Sequence, residues 1–101
     1  MENRELAERT EQIIERILPR FEAHPTAVPY IRSVRGANSA GEWHYALETL
    51  VAVLAYDAIP VTADEHRDLK YLFDYFAQSR SADVRSQADV MLSDLAKVIV
   101  A

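Results

Sequence analysis

"AGEWHYALETLVAVLAY", residues Ala40–Tyr56, is the stretch whose reading decides the fold. Its apolar residues recur at helical spacing: Trp43, Leu47, Leu50 and Leu54 fall on one stripe, with Ala46, Val51 and Val53 at its edges. Ser39 and Glu42 have the S-x-x-E spacing of a capping box. Together these predict a helix over about Ala40 to Tyr56, with Gly41 in its first turn. Trp43 shares its stripe with leucines, which assigns it to the core. The other side carries Tyr45, Thr49, Ala52 and Tyr56, and only Glu48 adds charge nearby. The expectation for this side is a central helix covered by its neighbours. The competing reading is an interface with another protein.

Downstream, Thr62 and Glu65 form a second capping box, which predicts a fourth helix over about Ala63 to Gln78. Leu69, Leu72, Phe73 and Phe76 make its core stripe. Ser79-Arg80-Ser81 breaks the pattern, and a fifth helix is expected from about Ala82 to Val100, burying Val84, Ala88, Met91, Leu92, Leu95 and Ile99. Upstream, Leu6, Thr10, Ile13, Ile14, Ile17 and Leu18 stripe a first helix over Asn3 to Leu18. Glu8, Glu11 and Glu15 form its solvated outer face, and Pro19 ends it. A short second helix is expected over Ala27 to Val34, capped by Thr26 and closed by Gly36, before a polar loop, Ala37-Asn38-Ser39. Glycine is nearly absent, alanine is abundant, and no long alternating run appears. The expected fold is therefore all-α: a single compact domain, residues 1–101, of about five mostly antiparallel helices and no sheet.

Composition excludes several function classes. The chain has no cysteine, so it has no disulfide, thiolate metal site or thiol nucleophile. Its net charge of -5 argues against nucleic-acid binding, which needs a basic surface. The residues after Met1 lack the apolar core of a signal peptide, and the longest apolar run, Leu50 to Tyr56, is far short of a membrane span. A cytoplasmic protein with no membrane contact is expected.

No motif carries catalysis. His44 and Glu48 share a helix face, but a metal site needs further ligands, and His24 and His66 have no sequence link to them. "RGANSAG", Arg35 to Gly41, lacks the glycines of a phosphate loop. No serine sits in G-x-S-x-G. The expectation is no enzyme, no metal and no cofactor. The fourth helix offers a surface instead. Asp64, Asp68, Tyr71 and Tyr75 align at helical spacing outside the core stripe, with Asp74 beside them. Tyrosine is enriched at interfaces, and carboxylates around it suit a basic partner. These five residues are the expected partner-binding site. Two tyrosines packed on a neighbouring helix is the competing reading.

The segment "GEWHYALETLVAVLAYDAIPVTADEHRDL", Gly41 to Leu69, resembles the MafI-type immunity proteins, small bacterial proteins encoded beside polymorphic toxins. The resemblance rests on Gly41-Glu42-Trp43, Ala46-Leu47, the apolar helix Leu50 to Leu54, Asp57 with Ile59-Pro60, and Thr62 to Glu65. It implies a protein that binds a cognate toxin domain and neutralises it, with basic nucleases among the toxins an acidic inhibitor would suit. A helical scaffold or oligomerisation module is the alternative.

Overall fold

The computed structural model describes residues 3–77 and 82–100, with side-chain surroundings for 4–76 and 89–99. The fold is all-α. Its helices are α1 (Asn3–Ile17), α2 (Pro29–Ser39), α3 (Trp43–Tyr56), α4 (Ala63–Ala77) and α5 (Ala82–Ala96). α3 touches each of the other four helices. Its Ala46, Leu47, Leu50, Val51, Val53 and Leu54 are buried, as its apolar stripe requires. Ile13, Ile14 and Ile17 of α1, Phe21 beyond it, and Leu69, Leu72 and Phe73 of α4 complete one connected core with Leu92 and Leu95 of α5. Trp43, Phe76 and Met91, expected in the core, pack against it half-buried. Val84 and Ala88 lie outside the described side chains, and Ser79-Arg80-Ser81 outside the described residues.

Pro19 ends α1 as expected, and a 3-10 turn, Leu18–Ala23, follows. α2 differs from the expectation. It starts at Pro29 and continues through Gly36 to Ser39, so the stretch read as a polar loop is helical. Thr26 does not cap it; its hydroxyl donates to Asp57 Oδ1 at 2.9 Å. The Ser39–Glu42 capping box does not form: Ser39 ends α2, and Glu42 is itself the residue before α3, where its carbonyl accepts the Ala46 N–H at 3.0 Å. Gly41 adopts φ +77°, and Gly41 N–H and Glu42 N–H turn back to the carbonyls of Asn38 (3.1 Å) and Ala37 (2.9 Å). A left-handed residue just past the cap of a helix, with these crossed bonds, satisfies its last carbonyls.

The same closure ends α3, with Ala58 at φ 53° and Ile59 N–H donating to Leu54 O at 2.9 Å. Ile59 and Leu54 are both buried, supplying the apolar contact that accompanies this turn. Here a Cβ occupies the conformation that glycine holds at Gly41. Ala58→Gly is expected to stabilise the fold by about 0.5–1 kcal/mol, the left-handed penalty less the added freedom of the unfolded chain. A thermal midpoint no higher than that of the wild type counts against the strain.

The Thr62–Glu65 capping box forms as expected. Glu65 N–H donates to Thr62 Oγ1 at 3.1 Å, and Thr62 N–H donates to Glu65 Oε1 at 2.9 Å. The end of α5 is a correction. The helix stops at Ala96, and Lys97 and Val98 close it by N–H donation to Asp94 O and Leu95 O. The β-branched run Val98-Ile99-Val100 then favours an extended backbone. Its strand β2 (Ile99–Val100) pairs in parallel with β1 (Val61–Thr62), Val61 opposite Ile99. This two-residue ladder ties the end of the helical chain to the turn before α4.

Candidate functional site

The five residues expected to bind a partner lie on α4 but do not form one uniform face. Asp64 accepts from Arg67 at 2.7 Å, and Asp74 from Lys70 at 2.7 Å. That carboxylate holds the exposed Lys70 ammonium above its ordinary pKa. Tyr75 is half-buried, with its ring edge-on to Phe76 at 5.9 Å. Asp68 and Tyr71 are brought together on a cavity of about 230 Å³ between α1 and α4. Arg9 and Arg16 of α1 line the same cavity, and the Arg9 guanidinium stands 5.3 Å from the centre of the Tyr71 ring. The face is therefore mixed: each acidic or tyrosine group has a cation or a ring nearby.

The histidines stand apart from one another. His44 Nδ1 lies 3.6 Å from Glu48 Oε1, and the ring meets Phe73 and Phe76 edge-on. His66 Nε2 is 3.0 Å from Leu92 O, joining α4 to α5. His24 sits in the turn before α2, where its carbonyl accepts from Ala27 and Val28. Among the described residues no three His, Asp or Glu side chains gather as metal ligands. Arg35, read beside a loop, lies on α2 and reaches Glu15 at 3.4 Å.

The larger surface is on α3. Its outer side was expected to be covered, and it is open. Tyr45 is 55% exposed, Tyr56 89%, and Tyr30 of α2, beside them, 46%. Among the described residues, none of α1 or α4 lines this side. α2 and α5 flank it but do not close over it, leaving a groove of about 750 Å³ floored by Thr49, Ala52 and Val53. Its walls include Glu48 and Asp57 and, among the described residues, no Lys or Arg. The Thr26–Asp57 hydrogen bond fastens the turn before α2 to the end of α3 and fixes one end of the groove. The signal for this site was in the sequence: a helix side with two tyrosines and a single charge.

No helix among the described residues is long and apolar enough to cross a membrane. No curated protein and no solved structure matches this chain. One family model matches over residues 1–101, every element described above included, and the chain belongs to that family, DUF6189, a family of unknown function.

Proposed function

We propose that this protein works by docking onto another protein and blocking it, as an immunity protein neutralises a toxin domain in the bacterial cytoplasm. The observation that carries the reading is the open tyrosine-lined groove on α3. A solvated helix face ordinarily carries charge, whereas this one presents Tyr45, Thr49, Ala52 and Tyr56. Tyrosine supplies large contact area at a small cost in side-chain entropy, which is why it anchors interfaces. The net charge of -5 speeds encounter with a basic partner, a nuclease domain being one such class. The Asp68–Tyr71 surface between α1 and α4 is a second contact region in this reading, with Asp64, Asp74 and Tyr75 at its margins.

The test is co-expression with the carboxy-terminal domain of a toxin encoded beside this chain. The wild type is expected to rescue growth and to bind the purified domain. Tyr45→Ala combined with Tyr56→Ala is expected to weaken binding by about 2 kcal/mol or more, roughly thirtyfold, with the fold intact. Wild-type affinity in that variant, with loss in Tyr71→Ala combined with Asp68→Lys, moves the contact to the α1–α4 surface. No rescue, together with a mass that grows with concentration in sedimentation, replaces neutralisation by self-assembly.

A further inference from the structure

We infer that the α3 groove receives a basic, apolar protein segment, one carrying Lys or Arg among aliphatic side chains. This rests on the binding-protein reading and names the chemistry of what binds. Charge complementarity argues it. Several surface carboxylates elsewhere meet a cation: Asp64 with Arg67, Asp74 with Lys70, Glu15 with Arg35. In the groove, Glu48 has only the His44 ring and Asp57 only the Thr26 hydroxyl, and no Lys or Arg lines the walls among the described residues. The wall thus presents two carboxylates with no cation among the described residues that line it.

The tyrosines point the same way. Ring faces attract Lys and Arg, the more so when both are withdrawn from water. Tyr45, Thr49, Ala52 and Tyr56 form a strip of three helical turns, roughly 16 Å long at 1.5 Å per residue. That length matches a partner helix presenting anchors at i, i+4, i+7 and i+11. A second copy of this chain is a poor occupant, since each copy carries a net charge of -5 and would bring acid against acid.

Two synthetic amphipathic helices with identical leucines, one with lysine and one with glutamate at the polar positions, test the inference. Each is titrated at low salt into isotope-labelled protein while backbone amide shifts are followed. The lysine peptide is expected to move amides of Thr49, Ala52 and Val53, and the glutamate peptide to leave them in place. Glu48→Lys is expected to weaken the lysine peptide about tenfold, and raised salt to weaken it in the wild type. Glu48→Gln, which keeps the shape, is expected to show a smaller loss in the same direction. Glu11→Lys, the same charge change on the exposed face of α1, is the control and is expected to leave affinity within about twofold. Equal response to both peptides, shifts scattered over the surface, or equal losses in Glu48→Lys and Glu11→Lys overturn the inference. The two readings fail separately. Toxin rescue that survives Glu48→Lys and is lost with the tyrosines keeps the groove and rejects the basic occupant. Selective peptide binding without any rescue keeps the basic occupant and rejects neutralisation.

Discussion

Leu50→Ala is expected to cost the fold roughly 2–5 kcal/mol, out of a total stability of about 5–15 kcal/mol for a natural domain. Leu50 is fully buried at the middle of α3, the helix that touches each of the other four. Truncation removes the transfer energy of its methyl groups and leaves a cavity among elements held by short connections, which relax only in part. Trp43, tilted against Phe76 with ring centres 6.5 Å apart, gives a fluorescence signal for unfolding in urea. Thr49→Ala, one position earlier on the groove floor, is expected to change stability by less than about 0.5 kcal/mol. The contrast between sequence neighbours maps the boundary between core and groove. A loss below about 0.5 kcal/mol at Leu50 means the helix is rotated from the packing described here.

What was legible in the sequence was what local patterns control. The stripes of α1, α3 and α4 bury the residues their spacing selects, apart from Trp43 and Phe76, which are half-buried, and the Thr62–Glu65 box forms because its partners are three residues apart. Where one short pattern serves two structures, local reading fails. Ser39-Ala40-Gly41-Glu42 holds both an N-cap spacing and a glycine suited to follow a helix. The core decides between them: Val34 and Ala37 are buried, which needs α2 to run on past Gly36. The end of α5 fails similarly. A short apolar run such as Val98-Ile99-Val100 fits helix or strand, and its partner Val61 lies far away in sequence.

The candidate site divides along the same line. The low charge on one side of α3 was visible, but whether α2 and α5 cover that side depends on tertiary packing. On α4 the pairing was visible too, since Asp64–Arg67 and Lys70–Asp74 stand at i,i+3 and i,i+4. Reading those spacings with the aspartates marks the face as compensated. The approach of Arg9 and Arg16 from α1 was not visible, because no local rule relates α1 to α4.

Glu65→Ala is expected to destabilise the fold by about 2–3 kcal/mol and to remove part of its dependence on pH. Glu65 is only 3% exposed. Its Oε1 and Oε2 accept from the two terminal nitrogens of Arg20 at 2.7 and 2.6 Å, and Oε1 also accepts the Thr62 N–H. Arg20 donates as well to Pro60 O at 3.2 Å, so one guanidinium links the turn after α1 to the start of α4. Removing the carboxylate strands that guanidinium and opens the cap together. The Arg20 side chain remains 34% exposed, which keeps the cost below that of breaking a fully buried pair. The Arg20 hydrogen bond lowers the Glu65 pKa most; burial opposes the shift, and the Thr62 N–H adds to the lowering. The unfolded chain therefore takes up this proton at a higher pH than the folded one. The contribution of Glu65 is full above the ordinary glutamate pKa of about 4.3 and is lost as pH falls through the folded value. Urea midpoints of wild type and Glu65→Gln are thus expected to lie well apart near neutral pH and to converge on acidification. A gap that stays constant across that range assigns the effect of Glu65 to shape and neutral hydrogen bonding, and the charge of the Arg20 pair then contributes nothing to holding α4 in place.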